Sequence, residues 1–439
     1  MHKVLPFLFT FFLISGLQAA VAQEPQKRLV SLQDLFRLAD ENNRTLRVGT
    51  YREQLAEEQI QQQKNQRLPS IEASLSFTYN GDGWIADRDF SNGMRAPIPS
   101  FGNNFALEAT QVLYAGGAIK TSIEMAKLSK VMAQLDKTQD RQNIRFLLAG
   151  HYLELQKLQN QKQILRHNLQ QTDKLLAQIK NKASQGIALK TAVTRFELQK
   201  QSYELALLKL ENNEKIIHHE LVETLQLPKG TTLEINPAVE PAQMETSMPA
   251  PWQSLAQENA PVLQQMQVQV QQAQHQETLA RADKKPQVVA FAGDQLNGPV
   301  MIEVPPLDKN FNYWYAGVGL KYNLANLYKA KTNLTASKLS TQKTRETQAL
   351  AQDRLMTEVE TTRIRHQEAQ EVYETQLKSV QLATENYTVV YNRYLSDLVL
   401  ITEMLDARNA KLDAELQAAN AQINILFHYY QLKKLTGTL

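Results

Sequence analysis

Eight residues, AGGAIKTS at 115–122, come nearest to a catalytic or ligand-binding signature in this chain. A phosphate loop needs a glycine directly before its lysine, so that backbone N–H groups can close around the anion. Ile119 stands before Lys120, and the pattern fails. Gly116 and Gly117 are better suited to ending a strand and turning the chain into a helix, where backbone freedom is required. His218 and His219 are adjacent and therefore project in different directions, which is poor geometry for one metal ion. His151, His275, His366 and His428 are scattered. The chain contains no G-x-S-x-G, no H-E-x-x-H and no paired-carboxylate constellation. It has no cysteine, which excludes disulfides, thiolate metal sites and a lipid-modified N-terminal cysteine. These residues predict no enzyme, no cofactor and no metal site.

The composition turns attention from chemistry to architecture. The 439 residues are 43% hydrophobic with a formal net charge of +3, which gives no reason to expect nucleic acid. Residues 1–22 begin with a short basic start, continue with an apolar run from Val4 to Leu17 and end in Ala20-Val21-Ala22. This is the pattern of a cleaved secretory signal. The run is short and holds Pro6, which argues against a retained membrane anchor. No later segment approaches the roughly 18 apolar residues of a spanning helix.

The sequence repeats itself. Glu41, Asn42 and Pro69 recur as Glu258, Asn259 and Pro286 at one constant offset. Leu113, Leu128 and Asn181 recur as Leu324, Leu339 and Asn392 at a second, slightly shorter one. The six-residue difference falls in the loop between two strands, where length is tolerated. A tandem duplication follows, with one copy over 23–230, a Pro-rich linker or equatorial segment over 231–251, and a second copy over 252–439. Each copy has the same expected order. A helix (32–66; 252–285) leads to a β-hairpin (70–114; 287–324). A very long helix (117–184; 328–395), a break and a last helix (188–226; 398–434) follow. Apolar residues such as Ile144, Leu148, Tyr152, Leu155 and Leu158 keep a narrow three-four stripe, as in coiled coils. At ~1.5 Å per residue, a 68-residue helix is a rod of about 100 Å. The two shorter helices of each copy together match that length and are expected to stack end to end beside it.

The strands differ from the rest of the chain. In RLPSIEASLSFTYN (67–80), Ile71, Ala73, Leu75, Phe77 and Tyr79 share one face, and Glu72, Ser74, Ser76, Thr78 and Asn80 the other. A tilted strand needs roughly 9–11 residues to cross a bilayer, with apolar and polar positions alternating. Phe101, Phe105, Tyr114, Phe311, Tyr313, Trp314, Tyr315 and Tyr322 cluster near strand ends like an aromatic girdle. Taken singly, each strand also fits a soluble hairpin. Four of them cannot close a barrel, and open edges are not tolerated in lipid, so several chains must pool strands. QVVAFAGDQL (287–296) alternates too poorly to assign its faces.

Three stretches carry a resemblance in their order and duplication. They are SLQDLFRLADENNRTLRVGTYREQLAEEQIQQQKNQRLPSIEASLSF, QVLYAGGAIKTSIEMAKL and EMLDARNAKLDAELQAANAQINILFHYYQLKKLTG. The chain resembles the TolC-like outer-membrane efflux family over nearly all of its expected mature length. The resemblance implies an α+β membrane protein. It would be a homotrimer with a twelve-stranded β-barrel in the outer membrane, four strands per chain, continuous with a long α-helical tunnel in the periplasm. It implies a passive exit duct that docks on a periplasmic adaptor (membrane fusion) protein and an inner-membrane pump, in efflux or type I secretion, with outer-membrane lipid around the barrel.

Family members narrow where the helices turn, and the resemblance places Glu403 and Asp406 there as pore carboxylates. Ala192 and Arg195 stand at the corresponding positions of copy one. Six carboxylates from three chains would attract cations and resist anions; ordinary solvated helix charge is the alternative. Tyr394 matches a tyrosine that ties the tip in some members, but Val399 falls where their basic partner would be. The turns around Gly186 and around Ser396 and Asp397 are the implied adaptor contacts, or plain helix turns. A periplasmic coiled-coil adaptor or scaffold without a pore is the competing reading. It would show one helical hairpin between β-rich segments, where this chain shows two hairpins, each entered through a strand pair.

Overall fold

The computed structural model describes residues 27–228, 230–235, 251–303 and 306–439; the expected leader at 1–22 lies outside them. The element order is β1 (Lys27–Val30), α1 (Leu32–Asn42), α2 (Arg44–Asn65), β2 (Ser70–Tyr79), β3 (Gly83–Ile85), β4 (Met94–Ala96), β5 (Phe101–Ala115), α3 (Ala118–Ser184) and α4 (Lys190–Thr224). It continues with β6 (Thr232–Ile235), α5 (Trp252–Asn259), α6 (Pro261–Ala282), β7 (Gln287–Gly298), β8 (Phe311–Lys321), α7 (Asn326–Leu395) and α8 (Ile401–Leu435). At ~1.5 Å per residue, the 67 residues of α3 and the 70 of α7 each span about 100 Å. Among the described residues, no helix is long and apolar enough to cross a membrane.

The leading helix expected over 32–66 is two helices, and so is its counterpart over 252–285. Asn43 leaves the helix with ψ 131°, and its side chain caps α2 by accepting from the Thr45 and Leu46 N–H groups. Ala260 likewise leaves the helix, with ψ 118° and no side-chain cap, because the following Pro261 disfavours helical backbone before it. Pro261 then starts α6 at the position where a missing N–H costs nothing. Asn43 and Ala260 are separated by the same offset as Glu41 and Glu258, so the break belongs to the duplicated unit. At the first of them Asn43 Nδ2 also donates to the carbonyl of Thr224, the last residue of α4, 2.8 Å away. The short helices of copy one thus meet end to end alongside α3.

Around this joint lies the largest core, with Leu35 and Phe36 of α1, Leu148, Tyr152 and Leu155 of α3, and Leu221 of α4. Leu233 and Ile235 of β6 join it. Within 231–251, expected as a linker or equatorial segment, Thr232–Ile235 pairs in parallel with Lys27–Val30, and residues 236–250 lie outside the described ones. A capping box starts α1: Ser31 Oγ accepts from the Asp34 N–H, and the Asp34 carboxylate accepts from the Ser31 N–H. Nearer the sheet the helices lie side by side in the order α2-α3-α6-α7, and further away in the order α4-α3-α8-α7.

All four long strands form one antiparallel sheet, ordered β2-β5-β7-β8. Its register assigns the faces that β7 alone leaves open. Leu75 pairs with Phe105, Phe105 with Leu296 and Leu296 with Asn312; Ala73 leads through Leu107 and Asp294 to Trp314. Directly paired residues share a face. One face therefore carries Ile71, Leu75, Phe77, Phe105, Leu107, Trp314, Val318 and Leu320, all exposed in the single chain. The other carries Ser74, Ser76, Thr78, Asn104, Glu72 and Glu108. Along β8 the Trp314 side is exposed throughout, whereas on the other side Phe311, Tyr313 and Lys321 are exposed and Tyr315, Gly317 and Gly319 half-buried. Strands β2 and β8 have no partner on their outer edges among the described residues. The loop between β2 and β5 holds the small β3–β4 hairpin.

Candidate functional site

The Gly116-Gly117 pair adopts φ of 65° and 93°, ending β5 and opening α3. Helix α3 then runs from the sheet to the far end of the rod, where α3 turns into α4 and α7 into α8. The two turns share one design. Gly186 has φ 77°, and its N–H donates to Ala183 O while Ile187 N–H donates to Lys182 O. Asp397, its counterpart in copy two, has φ 57°, with Asp397 N–H on Tyr394 O and Leu398 N–H on Arg393 O. Both are Schellman ends, which satisfy the last helical carbonyls through one left-handed residue. Glycine takes that conformation freely; an aspartate there carries strain that Gly186 does not.

The structure brings the two turns together. The Lys182 ammonium lies 3.2 Å from Asp397 Oδ1, joining copy one to copy two. Lys182 belongs to the other hairpin, and its partner is Asp397, at a place where the sequence shows only a turn. Ser396, exposed beside Asp397, turns its hydroxyl back to Asn392 O at 3.2 Å.

Tyr394 is half-buried in the cluster that binds the helices just above the turns. The cluster holds Leu175, Leu176 and Ile179 of α3, Phe196 of α4, and Met404 and Leu405 of α8. Burial pushes the Tyr394 phenol above its usual range, and the nearby Asp397 carboxylate adds to the shift. Glu403 and Asp406 sit one turn apart on the exposed side of α8, away from the buried Met404, Leu405 and Arg408. Ala192 and Arg195 occupy the matching places on α4.

Arg408 carries no mark in the sequence. It is 1% exposed, its Nη2 donates to Asn168 O on α3, and its guanidinium lies 5.8 Å from the centre of the Tyr203 ring. Its Nε and Nη1 are buried without a hydrogen-bond partner. No local pattern singles out this arginine, because burial here depends on three helices meeting. His218 is half-buried and His219 exposed, and among the described residues no group of three or more histidines and acids is placed to hold a metal.

The family model of the outer membrane efflux protein matches residues 35–225 and 252–438, one segment for each copy. The chain belongs to that family. It is similar in fold to CusC, a structure concerned with transmembrane channel formation, at 15% identity over 93% of each chain with a TM-score of 0.79. It is also similar to the outer membrane protein VceC from Vibrio cholerae (16% identity, 92% of this chain and 96% of that one, TM-score 0.74). The open-state outer membrane channel MtrE from Neisseria gonorrhoeae gives 17% identity over 92% and 88% with a TM-score of 0.70. No curated protein sequence matches at a significant level.

Proposed function

We propose that three copies of this chain form an outer-membrane efflux channel: a twelve-stranded β-barrel in lipid, continuous with an α-helical tunnel in the periplasm. The observation that carries this reading is the sheet. One face carries exposed apolar side chains on β2, β5 and β8, with Asp294 of β7 the charged residue among them, and in this reading it is the convex, lipid-facing one; the two edge strands, of 10 and 11 residues, are open. In lipid such edges must be paired, and β8 of one copy against β2 of the next closes the ring. Twelve strands leave a water-filled lumen lined by the concave polar face.

In this reading the channel is passive. A periplasmic adaptor and an inner-membrane pump deliver substrate to the tip, and the duct carries it outward. The adaptor meets the turns at Gly186 and at Ser396-Asp397, where Ile187, Leu189, Leu398 and Leu400 stand exposed. The carboxylates of Glu403 and Asp406 ring the entrance and favour cations. Lys182 and Asp397 hold the two hairpins of one subunit together, and the tip opens when they part.

Cysteines placed on the outer edges, at Ser74 of β2 and at Tyr315 of β8, test the assembly. Oxidation of the membrane-extracted protein is expected to give covalent dimers and trimers. Monomers alone under all pairings along these edges would refute the shared barrel.

A further inference from the structure

We infer that the barrel lumen is a track for organic cations with an aromatic or apolar body. The inference rests on the channel reading and names its substrate class. On the concave face, Phe311, Tyr313 and Tyr315 of β8 and Phe291 of β7 form a continuous ladder. Successive ring centres are 5.5 Å, 6.2 Å and 6.2 Å apart.

The ladder lies down on the sheet because glycines leave room for it. A Cβ on Gly293 would come within 2.6 Å of Tyr315 Cζ, and one on Gly317 within 2.9 Å of Phe291 Cζ. Tyr315 and Phe291 thus each cross the bare backbone of a neighbouring strand, which leaves a π face turned toward the lumen. That is the face to which a cation is attracted.

The rest of this face supplies the matching charge. Glu72 and Glu108 are directly paired across β2 and β5. Like charges in that position oppose each other and cost stability, so their shared face calls for a counter-cation. The aromatic and acidic halves are joined. Tyr315 Oη and Gln295 Nε2 lie 3.3 Å and 3.2 Å from Glu108 Oε1, and the Tyr313 hydroxyl donates to Gln295 Oε1 at 2.7 Å. Among the described residues on this face of the four strands, the only basic one is Lys321, at the helix end of β8. Neutral apolar compounds would find the rings but not the acids, and inorganic cations the acids without use of the rings. A cation with an aromatic body uses both.

The test is block of single-channel current in planar bilayers holding the full-length protein with Asp397→Asn, Glu403→Gln and Asp406→Asn, which removes these three tip carboxylates and parts the Lys182–Asp397 pair so that the tip is open. The probe, tetraphenylphosphonium, is added from the barrel side and compared with triphenylphosphine trisulfonate, an anion of similar aromatic bulk. The cation is expected to block at a concentration lower by about tenfold or more. Either Glu108→Gln or the pair Tyr313→Leu and Tyr315→Leu should raise its half-blocking concentration about tenfold, the scale of removing one charge or two rings from a partly desolvated site. Equal block by both probes, or block by the cation that neither variant changes, overturns the inference. Potassium current without selective block refutes the track alone; no potassium current refutes the channel reading itself.

Discussion

Adjacent residues of β2 should respond in opposite ways to the same substitution. Leu75 is the sixth residue of the ten-residue strand and lies on the apolar face, paired with Phe105 and, beyond it, Leu296. Five residues at ~3.3 Å along a strand tilted by about 40° place it roughly 13 Å from the helix end of the sheet, midway through an apolar band about 25 Å tall. A lysine at that depth on the lipid face costs about 2–4 kcal/mol. In a closed trimer it enters three times, so Leu75→Lys should cost ~6–12 kcal/mol per assembly, enough to abolish it. Ser76 is the next residue, on the concave face opposite Asn104. A lysine there projects into water on the face that also carries Glu72 and Glu108, and Ser76→Lys should change stability by no more than ~0.5 kcal/mol. Guanidinium titration of protein folded into lipid vesicles, with the heat-resistant oligomer followed by electrophoresis, reads both effects. Equal effects, or greater damage from Ser76→Lys, would refute the face assignment.

Arg408→Met should be neutral or stabilising, by up to ~3 kcal/mol, because it replaces a buried cation that has no carboxylate partner. Asn168 O keeps its hydrogen bond from Thr172 Oγ1 at 2.8 Å, so no acceptor is orphaned; a fall in thermal midpoint of several degrees would contradict this. Glu403→Gln with Asp406→Asn should bring the cation-to-anion permeability ratio close to one, read as a reversal potential in a salt gradient, and an unchanged ratio would remove these residues from the pore. His151, His218 and His366 are all held below the usual histidine range by burial, which Glu220 beside His151 only partly offsets. Their unfolded forms bind protons first as pH falls, so the stability they contribute is complete above about pH 6.5 and is lost below it. The thermal midpoint should therefore drop between pH 7 and 5, less steeply with the three histidines changed to Gln.

The duplication was legible because it leaves a numerical trace. Its two constant offsets recur in the structure, one in the paired breaks at Asn43 and Ala260 and the other in the paired left-handed turns at Gly186 and Asp397. The breaks themselves had signals, a capping Asn and an Ala-Pro step, but each lies inside an otherwise helical pattern that masks it. The pairing of β1 with β6 left none, since two such short strands at opposite ends of copy one have no local period to read. Strand β7 was ambiguous because Ala290, Ala292 and Gly293 carry almost no amphipathic contrast; only its register against β5 separates the Asp294 face from the Gln295 face. At the tip, the turns at Gly186 and Asp397 were legible from the break in the helical pattern, whereas Tyr394 was singled out by resemblance alone. Lys182 and Arg408 take their roles from helices of the other copy, which no local reading supplies.

Electron microscopy of the protein extracted from membranes in mild detergent tests the central claim most directly. The expected result is a threefold particle with a detergent belt around one end and a tube about 100 Å long below it, the length of α3 and α7. A monomeric elongated particle with no belt would contradict it.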